Sequence, residues 1–240
     1  LKHFNLKNAS AKINKRIQKE LAAQNIETEI IDDSHLNDHT FVHLHNHSQF
    51  SILQSTMSVK DLVENAGKQN MPAVAITDHA NMMGAFHFVR EVNNYNLGLK
   101  NKKAKADGKA TNFNSIKPII GCEFFVCENH LDKNQKDYGY QIVLLAKNKN
   151  GYQNLAKMSS IAYTEGFYYV PRIDKGIIEK YKEDIIVLTG NLYGEVPSKL
   201  LNIGENQAEE ALLWWKNQFQ DDLYVEIMRH DQEDENRINP

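Results

Sequence analysis

The 240-residue chain has only two cysteines, Cys122 and Cys127. Their separation puts them on opposite faces of a strand, which argues against a local disulfide and points to a reducing, cytoplasmic compartment. No apolar run approaches the ~18–20 residues that a membrane-spanning helix needs. No signal-peptide pattern is present, so no membrane is expected among the partners. Basic charge is not in excess: 28 Lys and Arg face 31 Asp and Glu, for a net charge of −3. The chain is not a basic module built to grip nucleic acid by itself. A place within a larger DNA-handling protein stays open. Glycine is absent from residues 1–40.

What is present supports a sizeable core, since 41% of the residues are apolar. Residues 1–40 are polar, with a modest helical pattern at Ile13, Ile17 and Leu21. They read as a partly helical linker or the tail of a preceding domain. Residues 41–240 read as one domain. The chain runs from Leu1 to Asn239-Pro240 and is expected to be a piece of something longer.

From residue 41 onward, strand and helix patterns alternate. A strand over 41–47 is followed by a helix begun at Ser58, with Asp61 three residues on as a capping partner. Val59, Leu62, Val63 and Ala66 give that helix an apolar stripe. Ala73–Thr77 reads as a short buried strand ending at Asp78-His79. The next helix carries Met82, Met83, Phe86, Val89 and Val92 on one side. Residues 98–115 are lysine-rich and read as a solvated loop, with a weak phosphate contact as the alternative. Strands at 118–126, 141–146, 185–188 and 223–228 alternate with helices at 151–163, 174–182 and 205–219. This order predicts a mainly parallel sheet with outer helices. Closed into a barrel, active groups would gather at the C-terminal strand ends. His47, Asp78-His79, Glu123 and the Thr189-Gly-Asn191 turn fall near such ends.

The chemistry concentrates in Phe41-Val-His-Leu-His-Asn-His-Ser48. In an extended strand, His43, His45 and His47 share one face. Imidazole is the commonest side-chain metal ligand. A hydrolytic centre needs several imidazoles and carboxylates on a rigid frame. His45, His47, His79 and Glu123 are the candidate ligands. Glu123 is an odd carboxylate in an apolar strand, and buried carboxylates need partners. Asp78 is a candidate to orient a ligand from behind it. His43 could equally face a neighbouring strand. His87, His130 and His230 read as structural or surface residues.

Several stretches together resemble a known family. They are Phe41–Ser48, Met71-Pro-Ala-Val-Ala-Ile-Thr-Asp-His79, Pro118-Ile-Ile-Gly-Cys-Glu123 and Leu144-Leu-Ala-Lys-Asn148. Gly151-Tyr-Gln-Asn-Leu155 and Gly166-Phe-Tyr-Tyr-Val-Pro-Arg-Ile-Asp174 narrow the likeness. The pattern is similar to the polymerase and histidinol phosphatase (PHP) domain of bacterial DNA polymerase III alpha subunits. The resemblance covers about residues 41–240. It implies an α/β fold of the distorted β/α barrel type, incomplete at its C-terminal end.

In that pattern His45 and His47 match the leading His-x-His pair, His79 the histidine after Thr-Asp, and Glu123 the acid of Gly-Cys-Glu. Gln54 stands where an aspartate belongs, Gln141 where a histidine does, and Asn191 where a cysteine does. A closing Asp-x-His pair would lie past Pro240. Amide oxygens are poor substitutes for carboxylate, imidazole or thiolate toward transition metals. The resemblance therefore implies a degenerate site, holding at best one Zn or Mn ion through His45, His47, His79 and Glu123. It further implies a parent DNA-directed DNA polymerase acting in DNA replication, whose Mg-binding carboxylates lie outside this chain. The partners implied are the parent's polymerase domains, DNA through that parent, and a proofreading exonuclease as subunit or fused domain. The alternative is an active metal-dependent phosphoesterase or 3′–5′ exonuclease.

Overall fold

The computed structural model describes residues 41–105, 115–230 and 232–238. The expected linker over 1–40 lies outside the described residues. The element order is α1 (Val59–Lys68), β1 (Ala73–Ile76), α2 (Ala85–Lys105), β2 (Lys117–Cys127), β3 (Tyr140–Ala146), α3 (Lys149–Thr164), β4 (Arg172–Asp174), α4 (Lys175–Tyr181), β5 (Ile185–Leu188), α5 (Glu195–Asn202), α6 (Glu205–Phe219), a 3-10 turn at Gln220–Asp222, β6 (Leu223–Tyr224) and α7 (Glu233–Ile238).

Local chemistry explains several boundaries. Ser58 caps α1 by accepting the Asp61 N–H at 3.0 Å, while its own hydroxyl donates to the Asp61 carboxylate at 2.6 Å. Such a cap contributes about 1 kcal/mol. Asn148 caps α3 through its side-chain oxygen, which accepts from Asn150 and Gly151. Asp174 does the same for α4 by accepting the Ile177 N–H.

The sheet runs in the order β1-β2-β3-β5-β6, with β4 also paired to β2. It is mixed rather than mainly parallel. β3 runs antiparallel to both β2 and β5, while β1–β2, β2–β4 and β5–β6 are parallel. The connection over 128–139 joins β2 to β3 without a helix, whereas parallel crossovers usually run through one. The sheet is not closed into a barrel.

Period-two alternation splits the sheet's contacts. Phe124, Ile142, Leu144, Ile173 and Val187 meet Leu155, Met158, Ile178 and Trp215 of the outer helices. On the opposite face, Ala75, Val143, Leu145 and Leu188 form a smaller cluster. A third cluster joins α1 and α2 to β1 through Leu62, Val63, Val74, Ile76, Phe88 and Val92. The face with Val143 and Leu145 opens onto a cleft of about 1300 Å³. Its rims are the extended segments 41–45 and 224–230.

Some sequence expectations need correction. The stripe of α2 is Phe88, Val92 and Leu99, whereas Met83 and Phe86 are exposed. The helix starts at Ala85, after Met82 and Met83, and of the expected stripe only Val92 is fully buried. It also continues through Lys105, so residues 98–105 are helical rather than loop. Residues 41–47 form no regular ladder, although Ala75 and Thr77 donate to the His43 and Asn46 carbonyls at 3.0 and 2.8 Å. The last strand is reduced to Leu223–Tyr224. The short helices α5 and α7 had no counterpart in the sequence reading. Among the described residues, no helix is long and apolar enough to cross a membrane.

Candidate metal centre

Glu123 sits in the middle of β2, not at a strand end. The β1–β2 ladder stops at Ile76 and Ile120, so β2 runs on past its neighbour. His79 then falls beside Glu123 in an isolated parallel bridge. The Ala80 N–H donates to the Glu123 carbonyl at 2.7 Å, and the Glu123 N–H donates to the Asp78 carbonyl at 3.1 Å. The buried strand thereby fixes both residues through backbone bonds.

The Glu123 side chain is fully buried, and imidazoles surround it. His47 Nε2 lies 2.7 Å from Glu123 Oε2, and His79 Nδ1 lies 3.0 Å from the same oxygen. His45 Nε2 lies 3.5 Å from Glu123 Oε1. The His47 and His79 rings stack with centroids 4.0 Å apart. Burial alone would raise the Glu123 carboxyl, but the facing imidazoles outweigh it and hold the group well below the usual carboxylate range. Burial alone would lower His45. Glu123 and Glu226 outweigh that and push it up to about 9.

One ligand atom from each of His45, His47 and Glu123 lies within 4.8 Å of the others. His45 Nε2, His79 Nδ1, Glu123 Oε1 and Glu226 Oε2 are buried and make no hydrogen bond. Orphaned polar atoms of this kind cost roughly 1–3 kcal/mol each. The 3.5 Å gap between His45 Nε2 and Glu123 Oε1 is near the ~3.3 Å separation of two ligands in a tetrahedral sphere with bonds of ~2.0–2.1 Å. Nitrogen and carboxylate donors with unspent lone pairs fit a transition-metal ion.

The other sequence-predicted residues are placed differently. His43 is exposed and packs edge-on against Phe41. Asp78 does not reach an imidazole. It accepts from Ser48 N, Ser48 Oγ and Ser51 Oγ at 2.6, 2.8 and 2.7 Å. Its part is to tie down the turn after His47. Ser51 Oγ in turn accepts the His79 N–H at 3.1 Å. Gln54 is exposed on that turn. Gln141 and Asn191 do meet: Asn191 Nδ2 donates to Gln141 Oε1 at 3.3 Å. Gly190 allows this closure, since its φ is +82° and a Cβ there would stand 2.4 Å from the Gln141 carbonyl oxygen.

Glu226 is the residue that sequence reasoning missed. Its Oε1 accepts from His45 Nδ1 at 2.9 Å. A signal existed: like Glu123, it is a carboxylate alternating within an apolar strand pattern. Among the histidines set aside, His130 is buried, and its Nδ1 donates to Asp174 Oδ2. His230 Nδ1 pairs with Glu235 Oε1 at 2.8 Å.

An α/β fold that gathers His45 and His47 around one buried carboxylate presents a donor set able to hold a metal ion. Residues 43–230 match the PHP domain family, and the chain belongs to it. It is 39% identical over 203 residues to the DNA polymerase III subunit alpha of Borreliella burgdorferi, which covers 83% of this chain and 16% of that one. It is 38% identical over 200 residues to the same subunit of Chlamydia trachomatis, covering 82% of this chain and 15% of that one. For Aquifex aeolicus the identity is 39% over 197 residues, covering 78% and 15%. The chain thus spans about a sixth of the length of these relatives, 15–16%.

Proposed function

We propose that this chain is the PHP region of a replicative DNA polymerase and that its metal centre is degenerate. The observation that carries this reading is the Gln141–Asn191 amide pair, which spends its hydrogen bond internally rather than offering donors to a cluster. With Gln54 also turned to solvent, His45, His47, Glu123 and His79 are left to hold one Zn or Mn ion. Such an ion, when bound, supplies Lewis acidity and lowers the pKa of a bound water. In this reading one ion serves chiefly to knit the 45–47 segment to β2 and the His79 turn. The incomplete β/α barrel then buttresses the polymerase domains and docks a proofreading exonuclease. Nucleotidyl transfer to a primer, on Mg ions and DNA, belongs to the parent outside this chain.

Elemental analysis paired with a phosphomonoesterase assay tests the reading. One equivalent of ion without turnover supports it. The second reading, an active metal-dependent phosphoesterase or 3′–5′ exonuclease, is favoured by the four orphaned buried atoms around Glu123. It requires two or more ions together with hydrolysis.

A further inference from the structure

We propose that Glu226 is a positioning residue of the metal centre: it holds His45 by Nδ1, so that Nε2 is the nitrogen offered to the ion. This rests on the single-ion reading above and adds a residue to it. A carboxylate can only accept, so the 2.9 Å contact to Glu226 Oε1 requires the proton on His45 Nδ1. The ring orientation then follows. His45 Nε2 points at Glu123 Oε1, 3.5 Å away, and neither atom has a hydrogen-bond partner. A free imidazole could present either nitrogen; this one is committed. Carboxylate–histidine–metal arrangements of this type raise ligand basicity and fix the ring.

Glu226 is itself held. Its backbone N–H donates to Thr189 Oγ1 at 2.9 Å. The strand just before it pairs with β5, Leu188 opposite Tyr224. The His45 and Glu226 side chains are only 5% and 12% exposed, so water competes weakly for the contact. Glu226 also supplies charge. Glu123 and Glu226 together carry two negative charges, which match one divalent ion. Gln54, Gln141 and Asn191 contribute none.

The test uses the 240-residue chain as wild type, Glu226→Gln and Glu226→Ala. Zn²⁺ affinity is measured by calorimetric titration, and the His45 Nδ1–H resonance by nitrogen-edited NMR with and without Zn²⁺. The expected result is a 10- to 100-fold weaker Zn²⁺ affinity in Glu226→Ala, a smaller loss in Glu226→Gln, and disappearance of the protected Nδ1–H signal in Glu226→Ala. Equal affinities, or a protected Nδ1–H that persists without the carboxylate, overturn the proposal. If the wild type takes up no Zn²⁺, the single-ion reading fails. The metal-free NMR arm still decides whether Glu226 fixes His45. A merely structural Glu226 would change stability without moving the ring's protonation site.

Discussion

Asn191 Nδ2 and Gln141 Oε1 are joined at 3.3 Å, across the turn that leads out of β5 and the first residues of β3. Gln141 lies opposite Phe125, two residues along β2 from Glu123. The amide pair therefore occupies the same sheet face as the histidine cluster. Two neutral amides there neither repel nor recruit a cation. Replacing them with Gln141→His and Asn191→Cys returns donor atoms to that wall, and Gln54→Asp adds a carboxylate on the turn after His47. The expected outcome is more bound metal per chain by elemental analysis. No increase, in a variant whose circular dichroism is unchanged, counts against these positions as former ligands.

Glu123 is the hub of the cluster, and its loss cannot be absorbed. Glu123→Ala removes the carboxylate that His47 Nε2 bonds and that His45 and His79 face. It also removes a donor that His45 and His47 need to hold an ion. Zn²⁺ uptake is expected to fall below detection in calorimetry. Retained uptake would move the site away from β2.

Glu195 gives a pH dependence independent of the metal. It is buried at 3% exposure and accepts from Lys175, Lys199 and Trp215 Nε1 at 2.8, 2.7 and 2.8 Å. Burial alone would raise its pKa, but these partners outweigh burial and lower it from the ordinary 4.5. A depressed carboxylate stabilises the fold above its unfolded pKa. That contribution is lost as pH falls through the lower folded value. Denaturant midpoints should therefore drop on acidification below about 4.5 more steeply in the wild type than in Glu195→Gln. Glu195→Ala also orphans the buried Trp215 N–H and should cost about 1–3 kcal/mol at neutral pH.

Arg172 staples the connection between β2 and β3. Its fully buried guanidinium donates to the carbonyls of Gly166, Asp137, His130 and Asp132. Lysine cannot reproduce that fork of donors. Arg172→Lys is expected to destabilise the chain by roughly 1.5–3 kcal/mol, the scale of hydrogen bonds to a charged group. Limited proteolysis should then cut within 128–139. An unchanged urea midpoint would contradict this.

Much of this was legible in the residues. The Ser58–Asp61 cap, the buried Ala73–Ile76 strand and the convergence of His45, His47, His79 and Glu123 followed from spacing and from the family resemblance. The rest depended on tertiary contacts. The start of the α2 stripe was misread because Met82 and Met83 were counted into a helix that begins after them. Asp78 looked like a partner for histidine by adjacency alone, but two serines nearer in space claim its oxygens. The strand expected over 223–228 ends at Tyr224, so Glu226 lies past it. Its neighbours Val225 and Ile227 are 67% and 64% exposed along the cleft, so polarity and burial invert there. The alternation singles out Glu226 as an odd carboxylate, but only the tertiary contact to His45 gives it a role.

A Glu123 cluster that holds a single ion without catalysing hydrolysis is directly measurable. The most direct measurement is metal per chain by elemental analysis after equilibration with Zn²⁺ or Mn²⁺, with phosphomonoester turnover followed on the same sample. One equivalent and no turnover are expected. Two or more equivalents accompanied by phosphate release would contradict the single-ion reading.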